Sequence, residues 1–140
     1  MHMNLLRKYL ITRDFSRFVV VGGLGFCIDA GLLTILIEDN LDVMLARSCS
    51  FFVAVSATWM LNRLWTFNSG GFLSIRREYA YYFSVQILGA AINLSIFFIL
   101  IDFCPEFLDI PLIPLAFGAI ASLMFNYVVS KKIVFKSESI

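Results

Sequence analysis

Long apolar stretches divided by short polar ones mark four segments of the chain, at about residues 18–37, 44–64, 80–101 and 111–130. Each holds close to the twenty residues that an α-helix, rising 1.5 Å per residue, needs to cross a hydrocarbon layer roughly 30 Å thick. The pattern predicts an all-α integral membrane fold, with four transmembrane helices in a single transmembrane domain over residues 1–140. The first segment, FVVVGGLGFCIDAGLLTILI, contains Asp29. Its Leu, Ile, Val and Phe side chains give roughly 5 kcal/mol towards insertion against a cost of about 3 for the carboxylate, so insertion wins. The second segment carries Arg47 near its start and Arg63 at its end, both close enough to an interface to snorkel. The third and fourth are uncharged, and Pro111 and Pro114 fall in the opening turn of the last helix, where a missing N–H costs least.

The polar stretches differ in sign. Arg7, Lys8, Arg13 and Arg17 precede the first helix; Arg63, Arg76 and Arg77 flank the middle connection; Lys131, Lys132 and Lys136 follow the last helix. The remaining connections, 38–43 and 102–110, hold Glu38, Asp39, Asp42, Asp102, Glu106 and Asp109 but neither Lys nor Arg. The positive-inside rule therefore predicts both termini in the cytoplasm, with Trp65, Tyr79, Tyr81, Tyr82 and Tyr127 as an aromatic belt on that side. Residues 1–17 are polar and the apolar run after them lacks a small-residue cleavage site, so the first helix is expected to remain in the mature protein.

The polar positions inside the helices recur. Displaced by 64 residues, Gly25, Ile28 and Asp29 fall on Gly89, Ile92 and Asn93. Displaced by 68, Ser50, Ala54, Thr58 and Asn62 fall on Gly118, Ser122, Asn126 and Ser130. A spacing of four keeps side chains on one helix face, so the second and fourth helices each carry a strip of small and hydrogen-bonding groups. Such strips suit helix packing in lipid and equally a polar ligand; the amides of Asn62, Asn93 and Asn126 need hydrogen-bond partners in either case. The pattern predicts two helical hairpins related as a parallel repeat. The relation is incomplete, since Asp29 corresponds to Asn93 and Arg47 to Leu115. Asp29 and Arg47 approach from the same side of the membrane and are expected to pair, because a guanidinium partners a carboxylate otherwise alone in hydrocarbon. The pair either fixes the hairpin or opens as part of the chain's function.

Composition narrows the function classes. With 60% hydrophobic and 15% charged residues among 140, a soluble domain would expose apolar patches that water does not tolerate. The net charge of +1 gives no reason to expect nucleic acid as a partner. Cys27, Cys49 and Cys104 form no CxxC pair and suggest neither a disulfide framework nor zinc. An enzyme is not expected: the single histidine is His2, no carboxylate pair lies within the helices, and no nucleophile motif is present. Gly22, Gly23 and Gly25 begin like a dinucleotide fingerprint, yet inside an apolar helix close packing explains them better. No cofactor is expected.

Two related strings, TWMLNRLWTF at 58–67 and NYVVSKKIVF at 126–135, end the second and fourth helices. With the opening FSRFVVVGGLGFCID and the third-helix string RREYAYYFSVQILGAAIN, they resemble the GtrA-like family of small membrane proteins over about residues 15–136. The resemblance implies translocation of a polyprenyl-phosphate-linked sugar across the bacterial cytoplasmic membrane, supplying membrane glycosyltransferases that build cell-surface polysaccharides. It places the family's polar and basic positions at Asn62, Arg63, Arg76, Arg77, Asn126, Lys131 and Lys132, with Thr58 departing from the family's usual Asn. With Asp29, Arg47 and Asn93 these form the candidate substrate-binding set. Guanidinium and ammonium groups below the interface suit a phosphodiester, although basic residues there also set topology. A homo-oligomer, most simply a dimer, is expected on the ground that four helices leave their polar strips uncovered and hardly enclose a sugar-sized path. The alternatives are a proton-coupled small multidrug exporter using Asp29, and an anchor that holds a glycosyltransferase at membrane lipid without transport.

Overall fold

The computed structural model describes residues 2–68, 73–109 and 112–135. It is all-helical among them: α1 (His2–Glu38), α2 (Val43–Leu61), α3 (Ile75–Phe103) and α4 (Leu112–Val129), with a short 3₁₀ turn at Pro105–Leu108. Four described stretches, Thr12–Glu38, Val43–Thr66, Ile75–Phe103 and Ile113–Val134, are long and apolar enough to cross a membrane. Pro111 and Lys136, both singled out in the sequence, lie outside the described residues.

The helices run further than the apolar stretches. The first continues back to His2 because no Gly or Pro interrupts residues 2–17, and extending an existing helix is far easier than nucleating one. α2 begins where Asp42 caps it, its carboxylate accepting from the N–H groups of Met44 and Leu45 at 3.0 and 3.1 Å. Both even-numbered helices end in a π-helical turn, Asn62–Thr66 and Ser130–Val134. Each is closed by a following aromatic residue: Phe67 N–H donates to the Asn62 carbonyl at 2.9 Å and Phe135 N–H to that of Ser130 at 2.8 Å. Single π turns of this kind recur at functional sites.

The chain divides into two compact units, Met1–Gly70 and Gly71–Ile140. In the first, α1 packs on α2 and its π turn; in the second, α3 packs on α4 and its π turn. Each helix pair thus has a turn end, where its two helices are joined, and an open end. The aromatic residues expected to form one belt split into two groups. Trp65 and Tyr81 are exposed and Tyr79 is half-buried, but Tyr82 and Tyr127 are buried, Tyr82 with its ring 5.7 Å from that of Phe135. Packing therefore removes those two from the interface role. Large apolar side chains are exposed on all four helices; Phe26, Met44 and Phe103 are each more than 70% exposed, which lipid tolerates and water does not.

Candidate functional site

The strips on the even helices are buried, which corrects the expectation that they lie uncovered. Ser50, Ala54, Thr58, Asn62 and Thr66 are enclosed along α2, as are Gly118, Ser122, Ser130 and Val134 along α4. Glycine on the partner helix makes the approach possible. A Cβ at Gly25 would strike the Thr58 side chain, one at Gly89 the Asn126 amide, and one at Gly118 the Asn93 carbonyl oxygen at 2.6 Å. Gly22 and Gly23 face open space, so close packing accounts for Gly25 and not for its two neighbours.

At the turn end of the first pair, Arg47 Nη1 donates to Asp29 Oδ2, so the predicted ion pair forms. Its partners are unequally placed, with the Arg47 side chain 51% exposed and that of Asp29 18%. The second carboxylate oxygen, Asp29 Oδ1, is buried without a hydrogen-bond partner. At the open end of the same pair, Thr66 Oγ1 donates to Asn62 Oδ1 at 2.8 Å across one helical turn. Arg17 Nη1 donates to the Trp65 carbonyl at 2.9 Å while its guanidinium sits 5.3 Å from the indole centroid, tying the middle of α1 to the π turn. Arg63, in that turn, is half-buried.

In the second pair, Asn126 Nδ2 donates to Gln86 Oε1 at 3.2 Å, joining α4 to α3 through two side-chain amides inside apolar helices. Asn126 Oδ1 and Ser130 Oγ are buried without partners, four residues apart on one face. Asn93 is half-buried beside Gly118. Lys131 Nζ donates to the Tyr127 hydroxyl at 3.2 Å, while Lys132, Arg76 and Arg77 are exposed. The described residues hold no cluster of metal-ligating side chains.

The model of the family described as the GtrA/DPMS transmembrane domain matches residues 17–138. The chain belongs to this family. The match takes in α1 from Arg17 onward, the other three helices and both π turns, so the GtrA/DPMS domain accounts for most of the chain.

Two residues of this GtrA/DPMS chain went unremarked in the sequence. Gln86 stands three residues before Gly89 and seven before Asn93, a spacing that aligns all three on one face of α3 and was the signal available. Glu78, 1% exposed in the first turn of α3, corresponds to Asp14 at the displacement of 64. A carboxylate there is favoured by the positive end of the helix dipole.

Proposed function

We propose that this GtrA/DPMS-family chain translocates a polyprenyl-phosphate-linked sugar across the bacterial cytoplasmic membrane for cell-surface polysaccharide synthesis, and is a transporter rather than an enzyme. The observation that carries the reading is the family match over residues 17–138. The polar groups fit it. Amides at Asn126 and Gln86 give sugar hydroxyls hydrogen-bonding partners within the apolar helices, with Asn126 Oδ1 uncommitted. Asn62 and Asn93 extend that set, and Arg63, Arg76, Arg77, Lys131 and Lys132 provide cations for the phosphodiester near the interface.

In this reading the two helix pairs are a parallel repeat with both termini and the middle connection in the cytoplasm, since those segments carry the Lys and Arg. The sugar is handed to a membrane glycosyltransferase. A homodimer belongs to the proposal on the size of the path alone, because burial of the strips takes away the other reason for it. The exporter alternative, which needs the Asp29 carboxylate open to a cationic substrate, draws little support, since Arg47 already engages it.

The test is reconstitution of the full chain in vesicles carrying a defined polyprenyl-phosphate sugar, read by a leaflet-accessibility assay. Protein-dependent appearance of the sugar in the opposite leaflet is expected. A sugar that stays in its original leaflet, with the chain correctly inserted, refutes the reading.

A further inference from the structure

The geometry points to a binding site for a lipid-borne phosphate at Arg47, at the turn end of the first helix pair, with Asp29 as its built-in competitor. The identity of the lipid rests on the translocation reading; the site itself rests on what surrounds Arg47.

Arg47 lies four residues beyond the start of α2, about 6 Å along the helix axis, and its stem is long enough to bring the guanidinium near the headgroup level. There it makes one hydrogen bond, from Nη1 to Asp29 Oδ2, and its other N–H groups have no protein partner among the described residues. A pair serving only to lock two helices would more favourably be bidentate, each carboxylate oxygen taking one arm of the guanidinium fork. Here Asp29 Oδ1 is buried without a partner while the Arg47 side chain is half exposed. The pair is thus saturated on neither side, and its open side carries the positive group.

The neighbouring surface suits an anion attached to a hydrocarbon chain. Met44 and Phe26 stand three residues before Arg47 and Asp29 on the same helix faces, and are 77% and 73% exposed. The nearest other carboxylate along α2, Asp42, is occupied in capping that helix. At the corresponding positions of the second pair stand Asn93 and Leu115, which offer no cation. The chain therefore provides one such site, not two. A phosphate seated on the free donors of Arg47 stands close to the Asp29 carboxylate, and the repulsion between the two anions keeps the complex weak enough to release.

The full chain in mild detergent is titrated with farnesyl phosphate, with farnesol and inorganic phosphate as parallel arms, and binding is read by native mass spectrometry. The unmodified chain is expected to bind farnesyl phosphate in preference to both controls. Arg47→Gln should weaken that binding about tenfold or more, and Arg47→Lys, which keeps the charge but not the fork, by less. Asp29→Asn should strengthen it several-fold, because the competitor is gone. Unchanged affinity in both Arg47 variants would remove the site, and weaker binding in Asp29→Asn would make Asp29 a support rather than a competitor, overturning the proposal. Inorganic phosphate binding as tightly as farnesyl phosphate would overturn the lipid source. If binding behaves as expected and vesicles show no sugar transfer, the phosphate site stands while the translocation reading falls.

Discussion

The two helix pairs place the same contacts at matching positions and fill them with different chemistry. Phe18 meets Phe67 at 6.0 Å in the first pair, and Tyr82 meets Phe135 at 5.7 Å in the second. Gly25 admits Thr58 where Gly89 admits Asn126, and a π turn follows in both. The first pair carries the ion pair and a closed Thr66–Asn62 hydrogen bond. The second has Asn93 and Leu115 in place of the ion pair. It also has Val134 where the first has Thr66, and a valine cannot bond to Ser130, whose hydroxyl is left without a partner. The aromatic and glycine contacts recur in both pairs, whereas the polar groups beside them differ.

That difference can be broken one position at a time. The largest effect is expected at Gly118, where an added Cβ meets backbone that cannot turn aside: Gly118→Ala should lower stability by about 2–3 kcal/mol. Gly25→Ala, opposed only by the Thr58 side chain, should cost less. Thermal unfolding in mild detergent ranks the two, and equal losses would mean that the second pair is no more tightly closed than the first. The corresponding first-pair position holds Ser50, fully buried with its hydroxyl on the Arg47 carbonyl at 3.1 Å, so a side chain fits there.

Converting the first pair into the second sharpens the comparison. Arg47→Leu alone strands the Asp29 carboxylate and should cost about 1–3 kcal/mol, a range lowered from that of a deeply buried pair because Arg47 is half exposed. Adding Asp29→Asn should recover most of the loss. A double variant as unstable as the single one would show that Asp29 and Arg47 are not coupled.

The same logic applies further along the pair, towards its open end. Thr58→Asn copies the second pair's residue, but the position matching Gln86 is Gly22, which has no amide to offer. The single change should cost about 1 kcal/mol, and Gly22→Gln beside it should restore the loss by supplying the partner. Failure of that rescue would mean the helix faces are not equivalent at this level. The smallest effect belongs to Gly31→Ala, expected within about 0.5 kcal/mol because nothing lies within 4 Å of the added carbon.

Much of the fold could be read before any coordinates. Four apolar stretches of bilayer length predict four spanning helices, and the i+4 strips of small residues mark the faces on which α2 and α4 pack. The Asp29–Arg47 pair was also legible, because each charge is too costly in hydrocarbon without the other. Three things were not. The helices overrun their apolar stretches because propagation is easy, and hydropathy does not register that. Two tyrosines of the expected belt are buried, since an aromatic ring near an interface serves a core as well as a surface and sequence does not distinguish them. The Asn126–Gln86 bridge joins residues 40 positions apart, and a lone glutamine in a long string announces itself only when its spacing to Gly89 and Asn93 is followed around the helix.

The central claim is that this chain moves a lipid-linked sugar and that its intramembrane amides take part. The rate of leaflet transfer of a polyprenyl-phosphate sugar in reconstituted vesicles tests it most directly, compared between the unmodified chain and the double variant Gln86→Leu, Asn126→Leu. Transfer by the unmodified chain is expected, with a loss of about tenfold or more in the variant at an unchanged thermal midpoint, since apolar side chains of similar size replace, at little cost, a polar pair whose Asn126 Oδ1 is buried without a partner. Transfer by the folded variant at the unmodified rate would contradict it.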